Sequence, residues 1–271
     1  MTLRESMLPF GWYPRNTAEI YKFLDGFERG TANAAIAPHA GWYYSGHIAA
    51  RAVCALDPSC KTIIVIGGHL PAGRKTLFAL EDSVQTPLGP VQIDKKIRNS
   101  LINRLDGIED VYPDNTVEVL LPMIRYFFPD AAIVWMRLAA EKASFEAGKT
   151  ISETVKESGY PVAVLASADL THYGRNYGFF PKGTGQEALK WVMEVNDARF
   201  IGSVLENDVD EMLIRSNREK SCCSAGSVAG VMGFAENTGS ARLLKYSSSA
   251  EKSEEIPDSF VGYAAIAWED S

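Results

Sequence analysis

Histidine and cysteine are scarce in this chain of 271 residues, with four of each. The spacing of Cys54, Cys60 and the adjacent Cys222 and Cys223 is neither that of a disulfide framework nor that of a paired CxxC motif. That excludes a cysteine zinc knuckle and a stapled secreted scaffold. Long apolar runs are missing too: "TIIVIGG" and "PVAVLASA" stop well short of the roughly 18 residues that a membrane span needs. No apolar stretch follows the charges of "MTLRESMLPFGWYPRN", so a signal peptide is not expected. A basic block is absent as well. Lys and Arg total 27 against 34 Asp and Glu, a net charge of −7, which disfavours nucleic acid as a partner. GxGxxG, Walker A and GxSxG elements do not occur, which removes the main support for dinucleotide, P-loop and α/β-hydrolase chemistry. The chain is expected to be soluble and cytoplasmic, with no membrane partner and with thiols free for chemistry or packing.

What is present is alternation. Near-continuous apolar runs at 33–37, 61–66, 76–81, 131–137, 161–167, 241–247 and 260–268 read as strands buried on both faces. Between them, apolar residues three and four apart predict helices over 17–28, 46–56, 94–105, 115–127, 143–158 and 185–205. Ser45 is placed to cap a helix starting at Gly46, and Thr17 to cap the first one. The 247–259 stretch reads as an exposed loop, since an apolar strand follows it. The pattern predicts one α/β domain over 1–271, with a central mixed, mostly parallel sheet flanked by helices.

Three of the four histidines follow a strand-like run directly. His39 comes just after "NAAIA", His69 ends "TIIVIGGH", and Asp169 and His172 lie in "VLASADLTHYG". Ligands of open α/β sheets bind at the carboxyl ends of the strands, so three strands would deliver His, His and Asp/His to one edge. Gly41, Gly46 and the Gly67–Gly68 pair allow tight turns and close backbone approach beside these histidines. His47 falls inside a predicted helix and reads as a packing or surface residue.

Two neutral imidazoles suit Fe, Zn, Cu or Ni, and the third ligand narrows the choice. A carboxylate points to non-haem Fe(II), while a thiolate suits Zn or Cu as readily as iron. The candidate thiolate is Cys223 in "KSCCSAGSVAGVMG", a loop entering a small-residue helix whose N-terminus would lower the thiol's pKa. Cys and small residues on a helix equally indicate close packing, so the residues alone leave Cys223 open. Cys222, one residue away, would point elsewhere and pack. Glu118 in "DNTVEVLLP" reads either as a buried acid near the site or as a solvated helix carboxylate.

Several segments together resemble the Memo family, also called the AmmeMemoRadiSam system protein B family. "APHAGWYYSG" resembles its PHAGY-x-YSG element, "VIGGHLP" its G-(P)-x-H-x-x-P segment, and "TPLGPVQID" its TPLG-x-x-x-x-D. "NTVEVLLP" is similar to H-S-x-E-x-x-LP, "ASADLTHYG" to S-S-D-L-S-H-Y, and "CCSAGSVAG" to the C-G-x-G-P turn. "DSFVGYAAIAW" resembles the final VGYA strand, and "LPFGWYP" the opening A-G-x-F/W-YP. These matches run in order over nearly the whole chain.

The family is similar in fold to class III extradiol dioxygenases. The resemblance implies that His39, His69 and Cys223 hold a divalent metal, Fe(2+) first, with Cu or Zn as the other ions to test. It also implies that Asp169 and His172 complete the pocket. Two departures stand out. Asn115 replaces the family's histidine before S-x-E, and the turn from Cys223 to Ser227 lacks one Gly and the Pro. The expected activity is a metal-dependent oxidoreductase, with His172 as general acid/base oriented by Asp169. Trp42, Tyr43 and Tyr44 are expected to wall the pocket or pack beneath it, with Glu118 and Asn115 near the substrate. A non-catalytic adaptor holding a phosphopeptide or other anion in the same pocket is the alternative, and hydrolysis at zinc is a third reading. The ligand, a small molecule or a peptide, is not named by the sequence, and self-association is left open.

Overall fold

In the computed structural model, which describes residues 1–269, the apolar runs form strands and the amphipathic stretches form helices. In chain order the strands are β1 (Leu3–Arg4), β2 (Ala34–Ala37), β3 (Thr62–Leu70), β4 (Leu77–Phe78), β5 (Ser83–Val84) and β6 (Val91–Gln92), followed by β7 (Ile108–Glu109), β8 (Ala132–Ala139), β9 (Val162–Ser167), β10 (His172–Gly174), β11 (Ser240–Ser248) and β12 (Ser259–Glu269). The helices are α1 (Thr17–Leu24), α2 (Trp42–Cys54), α3 (Lys95–Arg104), α4 (Asn115–Glu118) and α5 (Leu121–Phe127), then α6 (Ala143–Ser158), α7 (Gln186–Trp191), α8 (Asp197–Leu205), α9 (Val209–Glu219) and α10 (Ala225–Ala235).

A parallel core of β2, β9, β3 and β8 lies inside a nine-stranded sheet ordered β10-β12-β2-β9-β3-β8-β4-β7, with β11 on the opposite edge of β12. β12 runs antiparallel to β2 and β4 antiparallel to β8, so the sheet is mixed, as the sequence predicts. β1, β5 and β6 form a separate small sheet that the sequence did not announce.

Successive residues of each central strand point into opposite apolar layers. Ile63 and Val65 join a core with Trp42 and Val53 of α2 and Leu121 of α5. Ile64 and Ile66 join a second core with Phe145 and Ile151 of α6 and Val228 and Met232 of α10. Burial on both faces is why these strands read as unbroken apolar runs. α10 is buried at every position and packs against α6, which its small residues permit.

Element ends depart from the sequence reading for local reasons. α2 starts at Trp42, a turn before Gly46, because Gly41 takes the capping position. Ser45 lies inside that helix and its hydroxyl donates to the Ala40 carbonyl, 3.1 Å away. α1 is capped by Asn16 rather than Thr17, its Oδ1 accepting from Ala18 N at 2.8 Å. The predicted 115–127 helix divides at Val119–Leu120 into α4 and α5, with Pro122 in the first turn of α5, where a missing N–H costs nothing. The predicted 185–205 helix contains a π-helical turn over Val192–Asn196. Among the described residues, no helix is long and apolar enough to cross a membrane.

Candidate metal centre

The carboxyl ends of three strands and one loop meet at a single point. Past the end of β2, the His39 backbone N–H donates to Asp169 Oδ1 at 2.7 Å, and its Nδ1 lies 3.0 Å from Ser167 Oγ. At the end of β3 the pairing with β8 slips between Gly67 and Leu70, and His69 adopts φ +59°. That left-handed conformation is uncommon for a residue with a Cβ. Gly68 is needed next to it, since a Cβ there would sit 2.3 Å from Ser224 Cβ, beside Cys223. Past β9 comes Asp169, and His172 is the first residue of β10. The Cys223 N–H donates to the Asp169 carbonyl at 3.2 Å, tying the loop before α10 to the same corner.

One ligand atom from each of His39, His69 and Cys223 lies within 4.8 Å of the others. Cys223 Sγ is 3.3 Å from His39 Nε2, and the two imidazoles stand perpendicular with centroids 4.9 Å apart. With metal–N near 2.1 Å and metal–S near 2.3 Å, donors at these separations can share one ion. The second nitrogen of each ring is already occupied. Ser167 faces His39 Nδ1, and the His69 Nδ1–H donates to Asp114 Oδ2 at 3.3 Å. Such partners fix ring orientation and leave Nε2 to a metal, so the donor set fits the ion that the family resemblance implies.

The charges around these donors are unevenly arranged. Burial alone would raise the Asp114 carboxyl, but hydrogen bonds from His69 and Thr116 and the Arg137 charge hold it down to about 2. Arg137 pairs with Asp114 at 3.1 Å and with buried Asp110 at 3.3 Å, and its Nε donates to the Gly68 carbonyl at 3.0 Å. Burial pushes His39 down to about 3, with His69 adding to the effect, so its ring is neutral. Burial also pushes the Cys223 thiol well up, reinforced by Asp169 and Cys222. This reverses the lowering expected from a helix N-terminus: α10 starts only at Ala225, and desolvation wins. A metal taking this sulfur must displace its proton.

Above the donors opens a cavity of about 610 Å³. His39, His69, Asn115, Asp169, His172, Tyr43 and Tyr44 line it, whereas Cys223 borders a smaller neighbour of about 380 Å³ that shares His172 and Tyr177. Asn115 Nδ2 donates to the His39 carbonyl at 3.1 Å. Neither Trp42 nor Glu118 is among the described residues that line the cavity, and Trp42 takes the packing place that the sequence also allowed. Trp42 is buried beneath the site with Nε1 donating to the Val119 carbonyl at 3.0 Å, because its indole completes the α2 core. Glu118 is buried too, but it accepts from Met7 N, Leu8 N and Tyr13 Oη at 2.9, 3.0 and 2.8 Å. It clamps the N-terminal segment, which thereby brings Phe10 and Trp12 to the cavity rim. His47 stacks on Phe23, centroids 4.3 Å apart, as a packing residue.

Sequence reasoning missed Asp114, Ser167, Tyr177 and Tyr263. Asp114 had a weak signal, since it is the N-cap of α4 and an Asp in that position reads as a cap alone. Ser167 sits inside an apolar strand, where a small hydroxyl attracts no notice.

The Memo-like protein family profile matches residues 4–267. A MEMO1 family protein of Pyrococcus furiosus is 30% identical, with 97% of this chain and 98% of that protein covered. One from Pyrococcus abyssi is 32% identical over 90% of each chain, and one from Methanosarcina barkeri 30% identical over 92% and 91%. Among solved structures, an uncharacterized protein from Escherichia coli K12 is similar with a TM-score of 0.52 at 13% identity, covering 87% of this chain and 99% of that one. That likeness concerns the fold alone. The profile and the relatives span nearly the whole chain from end to end, and the chain belongs to the Memo-like protein family.

Proposed function

We propose that this protein is a metal-dependent oxidoreductase related to extradiol dioxygenases, with His39, His69 and Cys223 as the protein ligands of an Fe(II) ion. The observation that carries the reading is the donor set: three ligand atoms within 4.8 Å of one another, each imidazole oriented by a partner on its other nitrogen. Iron so held supplies a Lewis-acidic, redox-active point for O₂ and an oxygen-bearing substrate.

His172 is the general base of this proposal. Its Nδ1–H donates to the Leu170 carbonyl at 3.2 Å, which leaves the Nε2 lone pair free. That Nε2 lies 4.0 Å from Asp169 Oδ2 on the wall of the cavity. Burial lowers the pKa of His172 despite the opposing pull of Asp169, so the ring is neutral near pH 7 and can accept a substrate hydroxyl proton. Asp169 then stabilises the imidazolium. Asn115 cannot relay a proton, and its part is to hold the His39 carbonyl. The adaptor alternative has less support, because the described residues that line the cavity include no Lys or Arg to hold a phosphate.

Elemental analysis of anaerobically purified protein tests the metal. The expected result is close to one iron per chain, lost in His39→Ala and in Cys223→Ser, with circular dichroism unchanged. Metal content indifferent to both substitutions overturns the ligand assignment. Stoichiometric zinc or copper in place of iron overturns the iron assignment alone. Oxygen uptake with a catechol probe tests His172, whose replacement by Ala should lower turnover by about 10²–10⁴-fold. Undiminished uptake removes it from the mechanism.

A further inference from the structure

The outer part of the cavity is built differently from its floor. Four large aromatic side chains stand in solvent around the opening: Phe10 is 90% exposed, Tyr43 65%, Tyr44 50% and Tyr177 47%. Isolated exposed aromatics are ordinary, but several around one cavity mark a recognition surface. The ring of Tyr43 stands perpendicular to that of Tyr44 with centroids 5.0 Å apart, and Tyr177 stands edge-on to His172 at 4.9 Å. Ring faces carry negative quadrupole potential, and they are here set at several angles around one space.

The sign of charge in the cavity points the same way. Among the described lining residues Asp169 contributes a carboxylate, Asn115, Asn176, Ser249 and Ser259 are neutral, and there is no Lys or Arg. Burial raises the phenols of Tyr177 and Tyr263, and Asp169 and Tyr44 raise them further. An intramolecular ammonium already uses one of these rings: Lys252 Nζ sits 5.7 Å from the Tyr43 centroid.

We infer that the outer cavity binds the organic ammonium group of a cationic ligand, seated among Tyr43, Tyr44, Tyr177 and Phe10 with Asp169 below. This names a ligand class for the site and rests on the proposal above only in taking this cavity as the substrate site. An anion would meet the negative ring faces and no Lys or Arg among the described lining residues, since Lys252 sits over the Tyr43 ring at the edge. A neutral ring would gain nothing from the Asp169 charge. An ammonium satisfies both the ring faces and the charge.

Choline, its neutral isostere 3,3-dimethylbutan-1-ol and the anion 3,3-dimethylbutanoate separate these cases, titrated against the whole protein by ligand-observed NMR. Choline is expected to bind about ten-fold more tightly than the alcohol. Tyr44→Leu and Tyr177→Leu should each lose most of that preference, and Tyr44→Phe should keep it. These are exposed positions at which folding is not at stake. Equal binding of choline and the alcohol, preference for the anion, or no binding of choline overturns the inference, as does a preference untouched by both Leu variants. The same titration on His39→Ala separates it from the metal proposal. Choline selectivity that survives in protein without metal supports the ammonium site by itself, and selectivity lost from wild-type protein that keeps its metal overturns this inference alone.

Discussion

The two sides of the candidate site rest on buried carboxylates of opposite character. The His69 half is backed by Asp114, which is paired with the Arg137 guanidinium and held down to about 2. The loop carrying Asp169 and His172 is backed by Asp197, which has only neutral donors: Thr171 N at 3.1 Å, the Thr171 hydroxyl and Tyr246 Oη at 2.7 Å. Burial therefore pushes Asp197 up to about 6. One carboxylate is stabilised as an anion by an ion network and the other resists ionising, although both sit just behind the site. The exposed histidine needs a charged support because solvent competes for its hydrogen bond. The buried loop needs only neutral contacts, since Gly262 lets Asp197 press directly against β12: a Cβ there would lie 1.9 Å from Asp197 Oδ2.

Breaking the ion network should have the largest effect. Arg137→Ala leaves Asp110 and Asp114 buried with no cation between them, and removing one partner of a buried ion pair costs about 3–5 kcal/mol. Urea unfolding should register a loss of that size, along with loss of metal, as His69 loses its orienting partner. A loss below about 1 kcal/mol would mean that the two carboxylates take up protons or solvent and that the network is not what supports this half.

The Asp197 side is sharpened by pH. Its carboxyl is raised from 3.8 to about 6, so below the unfolded value both states are protonated and nothing is lost. As pH rises toward 6 the unfolded chain releases its proton first, so stability falls, by an overall amount on the order of 3 kcal/mol. Asp197→Asn keeps an acceptor for Thr171 and removes the titration. The stability of the wild type relative to this variant should therefore fall by about 2 kcal/mol between pH 4.5 and 7.5. A difference that does not change with pH would place the carboxyl in its ordinary range and undo the contrast with Asp114.

The same contrast explains what was legible in the sequence. His39, His69, Asp169 and His172 could be placed because each follows a strand whose apolar run is continuous, and strand ends are where open sheets bind. The supports could not. Asp114, Arg137 and Asp197 gain their roles from contacts across the fold: Arg137 lies 27 positions from Asp110, and Asp197 lies 26 from Thr171. Arg137 even ends the apolar run at 131–137, where nothing in the sequence marks it as a partner of two carboxylates. Trp42 and Glu118 were each open to two readings, and the structure takes the packed position for Trp42 and the buried one for Glu118. Trp42 lies between Gly41 and Tyr43 of the cavity wall, but helical geometry turns its indole into the interior. Ser45 and Thr17 showed that a favourable cap residue does not fix the cap when a neighbouring Gly or Asn takes the position instead.

The smallest effect discriminates the two histidines themselves. His39 is buried and its Nδ1 lies 3.0 Å from Ser167 Oγ, so His39→Ala strands that hydroxyl while keeping the backbone N–H bond to Asp169, and should cost about 1–3 kcal/mol. His69 is exposed, and its φ of +59° is a conformation that any Cβ resists. Glycine accepts that conformation freely, whereas alanine keeps the strain and loses the imidazole's bond to Asp114. His69→Gly should therefore be more stable than His69→Ala by about 1 kcal/mol, although both lose the metal ligand. Thermal unfolding of the two variants without metal measures this directly. If alanine matched glycine, the left-handed turn at His69 would carry no strain, and the backbone there would not be held in place for the sake of the ligand it presents.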